Sequence, residues 1–211
     1  MTHDTAAAAV AADRTAIRDL IEAWAIFRDA GEWERLASLW APEGVMKSSV
    51  FEGSAGDFMA RSKAGFEAGV NVLHALGGSV IDINGERAIA QTKMAIHQRA
   101  PVHGVLCDAV CHGRFYDFLA RHESRWGIVE RQPIYEQDRL DPVEPGTVVA
   151  LDPLLLARFP QGYRYLAYLQ TCQGATVRDD LPQTRGPVVE ALYRRGQAWL
   201  GDGDGAQATR A

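Results

Sequence analysis

Apolar residues change their spacing once along this chain, near residue 70, and that change limits what it can fold into. From Asp13, Ile17, Leu20, Ile21, Trp24 and Phe27 recur at intervals of three and four, the period of an amphipathic helix. Asp13 supplies an N-cap, and Ala30-Gly31 ends the run. Trp33, Leu36, Ala37 and Trp40 form a second, shorter stripe, and Phe58, Ser62 and Phe66 a third over Ala55–Ala68. Between these two, Pro42-Glu43-Gly44 turns the chain into a strand over Val45–Phe51. Further along the pattern is extended. Val80, Ile81 and Ile83 run into Asn84-Gly85, a hairpin signal because both turn residues tolerate positive φ. Ile89–Gln98, Gly104–Leu119 and Arg125–Tyr135 read as strands, the last two joined near His122-Glu123-Ser124. Helices followed by antiparallel strands predict an α+β fold rather than a βαβ alternation.

A stretch of different character follows. Asp138–Gly146 is rich in proline and charge and reads as an exit loop. Asp152-Pro153 starts a helix, with Asp capping and Pro in the first turn. Tyr163, Tyr165, Leu166, Tyr168 and Leu169 make an aromatic stretch, and Gly186-Pro187 opens a last helix bearing Val189, Leu192 and Trp199. The expected organisation is a domain over residues 13–142 and a helical extension over 143–200 that covers a pocket or a subunit interface. Met1–Ala12 is expected to be frayed and Gly201–Ala211 disordered.

Charge and motifs exclude several functions. Lys and Arg number 22 against 27 Asp and Glu, a net charge of −5, so no nucleic-acid partner is expected. Three cysteines without C-x-x-C spacing signal neither a disulfide framework nor a thiolate zinc site, and Cys107 and Cys111 read as buried filler. Neither a secretory leader nor an apolar run of about 20 residues is evident, which predicts a cytoplasmic protein with no membrane partner. His97, His103 and His112 lack carboxylates at ligand spacing, and H-E-x-x-H is missing, so no metal is expected. G-x-S-x-G, P-loop and G-x-G-x-x-G motifs are missing too.

Three blocks together resemble one family. Phe27-Arg28-Asp29-Ala30-Gly31-Glu32-Trp33 leads to Leu36 and Trp40, Leu73-His74-Ala75-Leu76 precedes the Asn84-Gly85 hairpin, and Arg125–Arg131 is followed by Tyr135 and Asp138-Arg139-Leu140. In order and spacing these resemble the SnoaL-like branch of the NTF2-like superfamily. The resemblance implies a cone, in which a strongly curved antiparallel sheet wraps helices around a deep pocket. It implies a lyase of dehydratase or dehydrochlorinase type, without metal or organic cofactor, often assembled as a homotrimer. It also implies catalytic roles for Asp29 at the end of the first helix, His74 at the start of the sheet and Arg131 on the last strand. Such members often carry a Lys or Tyr about one turn before the Asp; here that position is Trp24, which is no acid.

The residues themselves support this chemistry in outline. An imidazole accepts protons near neutral pH, a carboxylate on its second nitrogen fixes the tautomer, and the negative charge is expected to raise the His74 pKa. Arg131 on an ideal strand shares a face with Val129 and Tyr135, opposite Trp126 and Ile128. It either grips a substrate oxygen or pairs with Glu130, Glu136 or Asp138. On spacing alone Asp29 is a solvated helix end and His74 a structural histidine. Trp24, Trp40, Met94, His112 and Tyr135 are the expected substrate-binding residues. The reading is a dehydratase-type elimination on a hydrophobic hydroxylated molecule, formaldehyde loss from a lignin-derived diaryl propanoid being one variant. The alternatives are a non-catalytic NTF2-like ligand-binding or accessory subunit and a ketosteroid-isomerase-like isomerase.

Overall fold

The computed structural model describes residues 2–201, with side chains from residue 7 onward. Helix α1 (Thr2–Ala30) buries Ile17, Leu20, Ile21 and Trp24, the stripe that its spacing predicts. It starts well before Asp13, so the expectation of a frayed start is corrected. Residues 6–9, 11 and 12 are alanine, the best helix former, and extend a packed helix without a new nucleation step. The predicted disordered tail lies outside the described residues from 202 on.

Helix α2 (Trp33–Ala37) is short, and Trp40 opens strand β1 (Trp40–Ser48) instead of ending the helical stripe. Pro42-Glu43-Gly44 forms a break in the register of β1 rather than a turn before it. Gly44 is needed there: a Cβ would lie 2.8 Å from the Trp40 ring and 3.1 Å from the Ile128 carbonyl oxygen. Strand β2 (Phe51–Ser54) hairpins back on β1. Helix α3 (Ala55–Glu67) follows, capped by Ser54 Oγ, which accepts the Asp57 N–H at 3.0 Å.

Four long strands complete the sheet: β3 (Asn71–Asn84), β4 (Arg87–Val102), β5 (Val105–His122) and β6 (Arg125–Pro142). The sheet order is β2-β1-β6-β5-β4-β3, so the α+β class holds, as a curled, unclosed sheet with helices. All pairs are antiparallel except β1 with β6, which is parallel; the sheet is not wholly antiparallel as expected. The first hairpin turns at Gly85-Glu86, with Asn84 still paired to Arg87. At the next two, His103-Gly104 and Glu123-Ser124 all take positive φ, as type I′ hairpin turns require. The expected exit loop from Asp138 is also corrected, because β6 continues in register to Pro142.

Two bulges set which side chains face inward. The β5–β6 register slips at Phe118/Leu119, leaving Val129 unopposed, and again at His112/Gly113, leaving Glu136 unopposed. Trp126 and Ile128 therefore share the inner core with Tyr135, while Val129 packs with the outer cluster. The ideal alternation that separated Trp126 and Ile128 from Arg131 fails at this extra residue.

After β6 come α4 (Pro153–Leu156), capped by Asp152, then α5 (Arg164–Cys172) and α6 (Pro187–Gly201). Helix α5 buries Leu166, Ala167, Tyr168 and Leu169 in the same core as α1. Asp138 Oδ2 anchors its first turn, accepting the Tyr165 and Leu166 N–H groups at 2.6 and 2.8 Å. Helix α6 covers the outer side of the sheet, where Val189 and Leu192 join Ile89, Tyr116, Phe118 and Ile134. Among the described residues, no helix is long and apolar enough to cross a membrane.

Candidate active site

A cavity of about 400 Å³ opens between α1, α3, α5 and the inner face of the sheet. Its wall is mainly apolar, with Trp24, Phe58, Phe66, Ile96, Phe115 and Leu166 among the lining residues. His74 belongs to this wall, directly opposite Ile96 in the β3–β4 ladder.

Asp29 and His74 meet through two contacts. β3 is an edge strand, which leaves backbone N–H groups without a ladder partner. The last turn of α1 sets Asp29 against it. Asp29 Oδ2 accepts the His74 backbone N–H at 2.5 Å, and Oδ1 lies 2.8 Å from His74 Nδ1. A carboxylate accepts only, so Nδ1 carries the proton and Nε2 is left as the ring's acceptor. The imidazole lies edge-on to the Trp24 ring, with centroids 5.3 Å apart, and 6.0 Å from Phe115.

The His74 pKa is lowered, contrary to the expectation from its carboxylate partner. Burial among these rings disfavours the charged form most strongly; Asp29 opposes it, and Arg28 and Arg131 add to it. The ring is thus neutral at pH 7, as a proton acceptor must be.

Arg131 stands elsewhere than its expected role requires. It is fully buried and lies outside the cavity wall. Its Nε and Nη2 each donate to Asp117 at 2.7 Å, a bidentate pair, so the partner is none of Glu130, Glu136 and Asp138. Its guanidinium is sandwiched between the Trp24 and Phe115 rings, 4.3 and 4.2 Å from their centroids. Arg131 therefore packs against the two rings that hold His74, and its Nη1 has no hydrogen-bond partner among the described residues.

The expected substrate-binding residues divide. Trp24 and Tyr135 line the cavity. Trp40 is packed in the core behind the wall, because it begins β1 instead of facing inward from a helix. Met94 and His112 border a separate depression with Lys93, Glu136 and Gln137. On β5 the inner positions are Cys107, Ala109, Cys111, Phe115 and Leu119, so His112 faces outward, while Met94 is packed in the core; neither lines the main cavity.

Several wall residues carried no signal in sequence. Arg28 precedes Asp29 and was assigned no role from sequence, yet it lines the cavity and its side chain is only 13 % exposed. A polar chain crosses the wall farther along. Ser49 Oγ donates to Gln170 Oε1 at 2.8 Å, Gln170 Nε2 donates to Gln98 Oε1 at 3.1 Å, and the Tyr135 hydroxyl accepts the Ser49 N–H at 3.1 Å. Gln170 comes from α5, so the extension supplies part of the wall. Burial pushes the Tyr135 hydroxyl and the Cys111 thiol well up, which keeps both protonated at neutral pH. Among the described residues, no group of three or more His, Cys, Asp or Glu side chains is placed to hold a metal ion.

Comparisons with known proteins agree with this fold. The model of the SnoaL-like domain matches residues 9–132. A PEP2-like protein of Fusarium vanettenii is 36 % identical over 200 residues, covering 89 % of this chain and 85 % of that protein. Among solved structures, a type 2 hexachlorocyclohexane dehydrochlorinase superposes with a TM-score of 0.54 at 13 % identity, covering 67 % of this chain and 95 % of the other. A putative scytalone dehydratase from Novosphingobium aromaticivorans gives 0.51 at 16 %, covering 68 % and 93 %. At such identities these two structures speak for the fold alone.

Proposed function

Since the chain belongs to the SnoaL-like domain family, we propose that it is a lyase in which His74 starts an elimination inside an apolar cavity. The observation that carries this reading is the double contact of Asp29 with His74 N and Nδ1, at 2.5 and 2.8 Å. It leaves Nε2 as a neutral, oriented acceptor on the wall of the cavity.

The proposed substrate is an apolar molecule with a hydroxyl one carbon from an acidic C–H. His74 Nε2 takes that proton, the C–H electron pair becomes the new π bond, and the hydroxyl departs with its bonding pair. The proton gained by His74 is then passed to the departing oxygen, which leaves as water. A single group that serves in turn as base and acid makes a separate leaving-group acid at Trp24 unnecessary. Asp29 stabilises the imidazolium between the two transfers. Removal of a hydroxymethyl O–H proton instead would break a C–C bond and release formaldehyde from a diaryl propanoid carrying a leaving group. The family resemblance and the chemistry available to the side chains support a reaction that proceeds without a cofactor.

Turnover of hydroxylated aromatics, steroids and polyketides by the wild-type chain, His74→Ala and Asp29→Asn tests this reading. Loss of the base is expected to lower kcat by about a hundred- to ten-thousand-fold on whichever compound reacts. Equal turnover by His74→Ala overturns the assignment, and tight binding without turnover by any of the three supports a carrier instead.

A further inference from the structure

The charge on the cavity wall is unbalanced. Arg28 and Arg61 both belong to it, and no carboxylate does. Asp29, the acid nearest Arg28, already serves His74 with both oxygens and meets Arg28 Nη1 only at 3.4 Å. The other contact of that nitrogen, with the Val72 carbonyl, is 3.5 Å long. Arg28 Nε is buried with no hydrogen-bond partner among the described residues, and so is Trp24 Nε1 on the same wall. Arg61 on α3 is exposed and makes no ion pair among the described residues.

A largely buried guanidinium held only by two long contacts is costly, because desolvation exceeds the attraction that remains. The lowered pKa of Arg28, caused first by burial and only partly offset by Asp29, agrees with this. Such a cation is completed by an anion that brings its own pair of oxygens, since the guanidinium edge matches a carboxylate with two parallel N–H donors. The surrounding rings fit an aromatic body on that anion.

We propose that the cavity recognises an aromatic carboxylate, its oxygens paired with the Arg28 guanidinium and its approach steered by Arg61. This rests on the reading of the cavity as the substrate site and adds the charge of the substrate to it. The carboxylate lies on the Arg28 side of His74, and an anion there screens the positive charge that helps keep the His74 pKa low.

Two probes of similar shape, 2-naphthoate and 2-naphthamide, test the proposal by calorimetric titration of the full chain. The naphthoate is expected to bind about ten-fold more tightly or better, as a charge-assisted pair predicts, and to weaken with added salt. Arg28→Gln should abolish the preference, while Arg61→Gln should reduce mainly the association rate and its salt dependence. His74→Ala should keep the preference intact, so a missing base and a missing anion site give different results. If Arg28→Gln does not fold, the His74 pKa in the wild-type chain serves as the second readout. It should rise when 2-naphthoate binds and stay unchanged with 2-naphthamide. Equal binding of both probes by the wild-type chain, or a preference that survives Arg28→Gln, overturns the proposal.

Discussion

Asp29 holds the backbone N–H and the ring of His74 together, and the two contacts do different work. The backbone bond fixes where β3 meets the end of α1, and the ring bond fixes which nitrogen faces the cavity. Asp29→Asn separates them. The amide still reaches β3, but its NH₂ presented to Nδ1 favours the tautomer that turns Nε2 into a donor. Turnover is expected to fall by about two to four orders of magnitude while the thermal midpoint moves little. An unchanged kcat in this variant contradicts the role given to the ring bond. Arg131 leads to the opposite kind of expectation. Arg131→Met leaves Asp117 buried and unpaired and is expected to cost about 3–5 kcal/mol in urea unfolding. The double variant Arg131→Met, Asp117→Leu should recover most of that loss, and failure to recover would mean that the cation–aromatic sandwich carries the stability instead.

The helices and the hairpins were legible in sequence because each rests on a local signal, whereas the pairing of Asp29 with His74 came from the family resemblance alone. The helical stripe of α1 and the turn residues act over a few neighbouring positions. What local signals do not carry is a bulge. Val129 and Glu136 each shift a strand by one residue, and each shift exchanges inner for outer faces. Hence Arg131 shares the inner face with Ile128. Arg28 was missed for a related reason: nothing in the spacing of α1 tells that β3 and α3 close over its last turn. Asp117 lies on the inner face of β5 between Phe115 and Leu119, so a buried cation partner was there to be inferred from the alternation. The extension also divides at this scale, with α5 helping to wall the cavity and α6 on the outer side. Gly196 lets α6 approach so closely that an added Cβ would lie 1.9 Å from the Tyr116 hydroxyl. Gly196→Val is expected to destabilise the protein by about 1–3 kcal/mol and to expose Trp199, seen as a red shift in fluorescence. A wild-type spectrum and melting curve would show that α6 does not depend on this contact.

Over the whole molecule, two buried groups give stability opposite dependences on pH. His74 has a folded pKa below its unfolded value of about 6.5. The unfolded chain therefore takes up more protons below that point, and stability falls as pH drops from about 6.5 through the folded pKa. Asp138 runs the other way. Burial raises its folded pKa from 3.8 to about 6, so its contribution is full below 3.8 and is lost as pH rises to about 6. His74→Gln should remove the first slope and Asp138→Asn the second, read as urea midpoints across this pH range. Identical pH profiles for all three proteins would contradict both assignments. Asp138 joins β6 to the first turn of α5, so this second slope reports on the attachment of the extension that lines the cavity.

The most direct test of the account is the protonation state of His74, read from the long-range proton–nitrogen NMR spectrum of its ring across pH. The account predicts a neutral ring at pH 7, protonated at Nδ1 and bare at Nε2, titrating below about 6.5. A ring protonated at Nε2, or charged at neutral pH, would contradict it, because His74 would then have no free acceptor with which to begin an elimination.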